Sequence, residues 1–424
     1  MRKESLKRQA LITACCGALV RAMGFGLRLW ISRLLGAEAL GVTELASGAH
    51  MLALTPASAG LPSAVSRMTA KAENNEQRQM TLYAGRQIAA RLGLCVTPLF
   101  LFLSPFLANL LGDERTLPAL VFFAPCVLTV GLSSVYDGYF FGQGKALPPA
   151  LSEGAEQVVR LCVVGALAFF IPRVTVAYRA ALPAVASTVG EAAGLALILG
   201  IAGKTPSFRR DARLPNIKKQ LLSLSLPLLL NRLCHTGLRS LCGVIIPLRL
   251  IAGGLDRAEA MSRLGMFSGM AMPLLFLPCL ISGALAAVGG PAMARCKTKQ
   301  AENRLAFRLL SAALGTGFLS SAGLYVLSPY ISSLFYRLPE LTPLLRAAVP
   351  LAVLLPTQQT ASGVLTGLGL QKRSLGAGLL GAAATLLCTW QWTPIRGIYG
   401  AAWASITGHG LTLFCELISL FLRK

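Results

Sequence analysis

Two arginines stand inside a segment that is otherwise apolar enough to enter a membrane. Arg21 and Arg28 both fall within the run Leu19 to Arg28. Each arginine at the centre of a spanning helix costs about 2.5–3.5 kcal/mol on the insertion scale, so residues of this kind persist where they face something other than lipid. Their separation of seven residues puts them on one helical face, about 10 Å apart along the axis. The frame Arg-x4-Gly-Leu-Arg returns halfway down the chain, from Arg232 to Arg239, with His235 one turn from Arg232 on the same face. Guanidinium groups stay charged and offer planar, paired donors, the chemistry that suits a phosphate or pyrophosphate. Arg21, Arg28, Arg232, Arg239 and His235 are therefore expected to form a cationic cavity shared by two halves of the chain and to receive an anionic head.

Acids form a second set. Glu44, Asp137, Glu153, Glu156 and Glu191 fall in or near apolar stretches of the first half, and Glu416 stands almost alone in the second. Glu153, Glu156, Gln157 and Arg160 follow one helical face, and Glu156 to Arg160 has the favourable i, i+4 order. An internal ion pair Glu156–Arg160 is the expectation. Glu44, Asp137 and Glu156 are also the candidates for coupling to a proton or sodium ion, because intramembrane acids mark ion pathways. His50 and His409 are expected to be packed or hydrogen-bonded.

The elements that must position these groups are spanning helices. Of the 424 residues, 54% are hydrophobic and 13% charged, against about 25% charged in a soluble domain, and the mean hydropathy is +0.63. A span needs about 20 largely apolar residues. On that measure about twelve stretches qualify, near 10–34, 40–65, 82–111, 117–143, 147–171, 180–203, 219–248, 264–290, 305–334, 341–368, 374–393 and 396–421. An uncleaved first helix is expected rather than a signal peptide, since the apolar part is long and interrupted by arginine. The fold class is thus an all-α polytopic membrane protein.

The net charge of +23 is spread between spans with no aromatic-interleaved motif, which argues against nucleic acid and for topology signals and anionic lipid. Basic connections around Arg67, Lys71 and Arg78, residues 204–219, Arg295 to Arg304, and Lys372-Arg373 alternate with connections of mixed sign. With Arg2, Lys3, Arg423 and Lys424 on the same side, both termini are expected in the cytoplasm. The eleven cysteines are scattered without metal-binding spacing and read as small buried hydrophobes. No catalytic residue, metal or cofactor is expected.

Internal similarity divides the chain. Gly60-Leu61-Pro62 followed by Ala72-Glu73-Asn74 matches Gly289-Gly290-Pro291 followed by Ala301-Glu302-Asn303. Pro125, Gly138, Gly142 and Gly144 match Pro350, Gly363, Gly367 and Gly369. With the arginine frame, three places repeat in order. Two six-helix lobes, 1–203 and 219–424, are expected, joined by a basic cytoplasmic linker at 204–218. An even number of spans per half makes them parallel repeats about an axis along the membrane normal.

Several stretches resemble a known family. Ile31 to Gly41, Ala59 to Arg67, Gly138 to Gly142, Glu156 to Arg160 and Gly269 to Pro278 look like the corresponding parts of the stage V sporulation protein B family, in the multidrug/oligosaccharidyl-lipid/polysaccharide (MOP) exporter superfamily, which is similar to MurJ-type flippases. The resemblance covers nearly the whole chain. It implies alternating access by two lobes that moves an undecaprenyl-pyrophosphate-linked sugar across the bacterial plasma membrane, with peptidoglycan lipid II, for the spore cortex, as the leading cargo. It also implies that arginines of the first and seventh helices line the cavity. Arg21 matches the first motif arginine, three residues before Gly24; Arg28 lies one residue later than the second, and Leu29 stands where an acid follows in that motif. The two extra C-terminal helices of MurJ-type proteins are expected to have no counterpart here, so their lipid-tail groove is not carried over. The expected partners are this lipid-linked glycan, membrane lipids and a coupling proton or sodium ion, with the chain working as a monomer.

The alternative on the same fold is a drug or organic-cation antiporter, but a cation exporter calls for an acidic cavity and arginines occupy the key helices. A major facilitator would carry a Gly-x3-Asp-Arg-x-Gly-Arg-Arg-like loop, and Arg67 to Arg78 does not. An enzyme acting on the same lipid would need a water-facing acid pair, a metal cluster or a large catalytic loop, none of which is visible. A scaffold without transport predicts that the arginines tolerate glutamine.

Overall fold

The computed structural model describes residues 3–170, 173–203, 211–283 and 298–421, with positions 206, 208, 293 and 296, and side chains from residue 17 onward except those of 18, 231 and 235. The copy of the repeat at Gly289 to Pro291, the terminal basic residues Arg2, Arg423 and Lys424, the loop residues Arg295 and Lys297, most of 204–210 and the side chains of Lys3 and His235 lie outside this set.

All regular structure among the described residues is helical. The elements are α1 (Lys3–Ser58), α2 (Leu61–Lys71), α3 (Asn75–Leu110), α4 (Leu117–Gly142), α5 (Leu147–Ala168), α6 (Val176–Ala202), α7 (Leu214–Ala252), α8 (Arg257–Leu264), α9 (Lys299–Tyr330), α10 (Leu341–Ala348), α11 (Leu351–Gly367), α12 (Gln371–Arg396) and α13 (Ile398–Phe421). In lipid every backbone polar group must be satisfied within the chain, which leaves the helix as the solution for these apolar runs. Asn74, Asp256 and Thr298 cap α3, α8 and α9 by accepting from Gln77, Glu259 and Ala301 N–H groups. Among the described residues seven helices are long and apolar enough to cross a membrane, including Asn75–Leu110, Val176–Ala202, Leu214–Ala252 and Ile398–Phe421. α5 carries Glu153, Glu156 and Arg160 in its middle and is not one of the seven.

The backbone groups into two compact units, Met1–Leu35 with Leu45–Thr236, and Gly36–Glu44 with Gly237–Lys424. The chain leaves the first unit at Gly36, whose φ of 75° and ψ of 172° break α1 into two limbs. Glycine adopts such a φ without the steric cost other residues meet.

In the first unit, α2 lies directly on α4. A Cβ at Gly138 would come 2.3 Å from the Pro62 carbonyl oxygen, and one at Gly142 would come 2.6 Å from that of Ser66. The two glycines allow the backbones this approach. Leu61, Val65, Met80, Tyr83, Val135, Tyr136 and Ile198 close the core around the seam. In the second unit, α12 and α13 interlock through two Gly-x3-Thr pairs. A Cβ at Gly381 would lie 1.8 Å from Thr412 Oγ1, and one at Gly408 would lie 1.8 Å from Thr385 Oγ1. Each threonine is held by its own helix: Thr385 Oγ1 donates to Gly381 O at 2.9 Å and Thr412 Oγ1 to Gly408 O at 3.0 Å.

The repeat has a structural echo. Gly144 (φ 73°) and Gly369 (φ 77°) both end a helix in the left-handed region. Lys145 N–H donates to Phe140 O and Leu370 N–H to Leu365 O, each at 2.9 Å, the same closing turn in both halves. The helix starts differ. Asn74 caps α3, whereas its match Asn303 sits inside α9, because Thr298 caps that helix five residues earlier.

Before α7, Asp211 accepts from Arg213 N–H at 2.8 Å and from its guanidinium at 2.8 and 3.1 Å, and Arg213 also pairs with Glu76 at the start of α3. These hydrogen bonds hold the Asp211 carboxyl below its ordinary range. A depressed carboxylate contributes stability above its unfolded-state value and loses it as pH falls through the folded one. Arg213 and Glu76 are exposed and Asp211 is half-buried beside them, so solvent screens the pair and the contribution is small. Arg213→Gln is expected to lower the melting temperature only slightly, by less at acid pH and in high salt. A large, salt-insensitive loss in a thermal series would contradict this.

Candidate functional site

The first limb of α1 packs on α5 inside the first unit. A Cβ at Gly24 would lie 3.4 Å from Gln157 Oε1, one at Gly154 would lie 3.8 Å from Val20, and one at Gly165 would lie 3.4 Å from Trp30. Val20 and Leu27 are buried, while Arg21 and Arg28, next to them around the helix, are exposed. Arg232, on α7 in the same unit, is exposed as well. Arg21 and Arg232 make no ion pair among the described residues, whereas Arg28 has an interaction partner. Two guanidinium groups on apolar helices with no acid to neutralise them can take an external anion.

The acids of the first unit converge where α5 meets α6. Arg160 Nη2 pairs with Glu156 Oε1 on its own helix and with Glu191 Oε1 on α6 at 3.1 Å. The side chains are only 14% (Glu156), 16% (Glu191) and 22% (Arg160) exposed, so each charge needs its partner. Small residues make the room. A Cβ at Gly190 would lie 2.5 Å from Arg160 Cγ, and one at Gly194 would lie 3.1 Å from Ser152 O, while Ser152 Oγ donates to Gly194 O at 2.9 Å. Asp137 on α4 is within coulombic reach of Glu153 and Glu156. Sequence reading paired Glu156 with Arg160 but left Glu191 alone, because it lies 31 residues from Arg160. The flanking Gly190 and Gly194 were the available signal of a close seam.

Arg239 belongs to the second unit. Its guanidinium stands 5.8 Å from the centre of the Phe276 ring, within cation–π range. It is also within coulombic reach of His409. His409 Nδ1 shares a hydrogen bond of 2.7 Å with Gln358 Oε1, and Ser282 Oγ donates to Gln359 Oε1 at 2.7 Å. α7, α11 and α13 thus bring three polar side chains together that are far apart in sequence. His235 lies on the helical stretch between Arg232 and Arg239, but its side chain is outside the described set. Glu44 is half-buried in the second unit and has a partner. His50 stacks on Phe123 with ring centres 4.4 Å apart. Among the described residues no group of three or more metal-ligating side chains gathers.

Comparison with known proteins agrees with this architecture. A family profile described as polysaccharide biosynthesis protein matches residues 6–297. Stage V sporulation protein B of Bacillus subtilis (strain 168) is 30% identical over 426 residues, covering 96% of this chain and 82% of that protein. The inward-facing structure of a multidrug resistance MATE family transporter of the MOP superfamily superposes with a TM-score of 0.78 at 16% identity, covering 95% of this chain and 93% of its own. Lipid II flippase MurJ in an inward closed conformation superposes with a TM-score of 0.75 at 14% identity, covering 97% and 87%. At those identities the two structures speak for the fold alone, an all-α multi-pass membrane fold.

Proposed function

The chain belongs to the polysaccharide biosynthesis protein family, and from that premise we propose that it is an alternating-access flippase for an anionic undecaprenyl-pyrophosphate-linked saccharide, with peptidoglycan lipid II as the leading cargo. The observation that carries this reading is the pair Arg21 and Arg232, exposed on apolar helices without an acidic partner among the described residues. Membrane helices keep uncompensated charge of this kind where a counter-charge visits. Arg28, Arg239 and His235 complete the set assigned to the pyrophosphate. The name of the similar structure, a lipid II flippase, supports the cargo, and that of the relative, a stage V sporulation protein, supports a place in spore formation.

The protein works in the bacterial plasma membrane as a monomer with both termini in the cytoplasm. Asp137 and Glu156 in the first unit, and Glu44 in the second, are the acids assigned to coupling with a proton or sodium ion. Flipping moves the lipid without a covalent change, so no step of bond making falls to the protein.

The test is movement of a fluorescent lipid II analogue in proteoliposomes. Charge-assisted hydrogen bonds contribute roughly 1.5–3 kcal/mol each, so Arg21→Ala/Arg232→Ala, which removes two, is expected to flip roughly a hundredfold more slowly or worse, with Arg21→Lys/Arg232→Lys in between. A wild type that moves no lipid II under any imposed gradient removes the cargo assignment. A double alanine variant that flips at the wild-type rate removes the role of the arginines. A wild type that instead exports organic cations establishes the antiporter alternative.

A further inference from the structure

Glu416 is 1% exposed, on the apolar helix α13. Its Oε1 accepts two hydroxyl hydrogen bonds, from Ser362 Oγ of α11 at 2.6 Å and from Ser374 Oγ of α12 at 2.8 Å. The two hydroxyl oxygens are themselves 2.8 Å apart. Its other oxygen, Oε2, is buried with no hydrogen-bond partner.

No cation balances it among the described residues. α11 carries no charged residue. On α12, Lys372 and Arg373 are exposed at the first turn and Arg396 stacks over Trp403 at 4.6 Å. On α10, Arg346 donates to Ser328 Oγ at 3.0 Å. On α13 itself, His409 is held by Gln358. On α9, Lys299, Arg304 and Arg308 are exposed, and among the described residues Glu416 makes no ion pair.

The seat is built. Ser374, Ala377, Gly381 and Thr385 run down one face of α12 at helical spacing, and Gly408, Thr412 and Glu416 run down α13 at intervals of four. The interlocked glycines and threonines bring the two helices into close contact on this face, and the carboxyl between them is buried.

A bare carboxylate buried without a cation is among the costliest groups a protein can hold, while a neutral acid costs far less. The two oxygens differ as those of a neutral acid differ. In a neutral acid the carbonyl oxygen accepts two donors, as Oε1 does, and the other oxygen is the one that bears the hydrogen.

We propose that Glu416, seated by Ser362 and Ser374, is a proton-binding site of the second unit. The proton resides on Oε2 while α11, α12 and α13 are packed. Releasing it to water leaves a carboxylate that two hydroxyls cannot satisfy, so the three helices must part or admit water to let it go. Proton binding and the packing of this triad are thereby one equilibrium. The inference does not depend on what the chain transports.

The test is infrared difference spectroscopy on the full chain in lipid nanodiscs at neutral pH. Wild type minus Glu416→Gln is expected to show one carbonyl band of a protonated carboxyl, sensitive to deuterium exchange. Ser362→Ala/Ser374→Ala should keep that band and move it to higher frequency, because the carbonyl loses its two donors; this variant retains the carboxyl and carries the test if the glutamine variant does not fold. Matching spectra of wild type and Glu416→Gln in that region would overturn the proposal. So would an absent band together with a melting temperature raised by sodium chloride over choline chloride in the wild type only, since the occupant would then be a sodium ion.

Discussion

Gly265→Val is expected to destroy the packing of the second unit, and Gly41→Val to do the same from the opposite side. A Cβ at Gly41 would lie 1.9 Å from the Met261 carbonyl oxygen, and one at Gly265 would lie 1.9 Å from that of Ala37 and 2.7 Å from Gly41 N. Gly269 continues the seam, with Leu40 Cδ2 at 2.4 Å from the atom it lacks. Every obstacle at the first two positions is backbone, so no rotamer change can relieve it. Overpacking a well-packed contact costs about 1–3 kcal/mol and sometimes more. Here the second limb of α1 and the π-helical turn Gly265–Ala271 would have to separate along their length, and a loss of at least about 3 kcal/mol is expected. Thermal denaturation followed by size-exclusion chromatography in detergent measures it. Gly26→Ala is the control, because nothing lies within 4 Å of the added carbon. If Gly41→Val melts with the control, the close approach is not a feature of the protein in its membrane.

Arg160→Leu should be nearly as damaging, for an electrostatic reason. It leaves Glu156 and Glu191 facing one another at the α5–α6 seam with no cation between them. Removing one partner of a buried ionic set costs about 3–5 kcal/mol, because a charge remains where water cannot reach it. Adding Glu156→Gln and Glu191→Gln to the Arg160→Leu chain is expected to recover most of the loss, since a neutral set no longer needs the guanidinium. Melting temperatures of the single and triple variants decide the matter. A triple variant no more stable than Arg160→Leu alone would mean that the arginine acts through its packing against Gly190 and not through its charge.

The candidate site was legible in unequal parts. Arg21 and Arg28 could be placed on one helical face because helix period is a local property and the limb of α1 that carries them is unbroken to Gly36. Glu156 and Arg160 are four residues apart, and helix geometry alone brings them together. Glycines 144 and 369 could be matched because a helix ending needs its left-handed residue at a set distance from the last turn. Glu191 could not be joined to Arg160 in the same way, nor Ser362 and Ser374 to Glu416, nor Gln358 to His409. Each pair spans at least 31 residues and lies on different helices. The break after the first apolar stretch was also expected as a connection, and it proves to be a single non-helical residue, Gly36, between two helical limbs.

Composition and period by themselves determine that this chain is a membrane-embedded bundle of helices, where most of its apolar helices lie, and which of their faces carry charge. Those properties follow from hydropathy and from 3.6 residues per turn, and both act within one helix. Tertiary structure alone decided which charges meet across helices. Among the described residues Arg160 gains a second acid, Glu191, from another helix, Arg21 and Arg232 meet none, and Glu416 has two hydroxyls and no cation. In a bundle whose helices are all apolar outside, partners are selected by where glycines and other small residues let two backbones come close. That steric choice leaves no periodic mark on either helix alone.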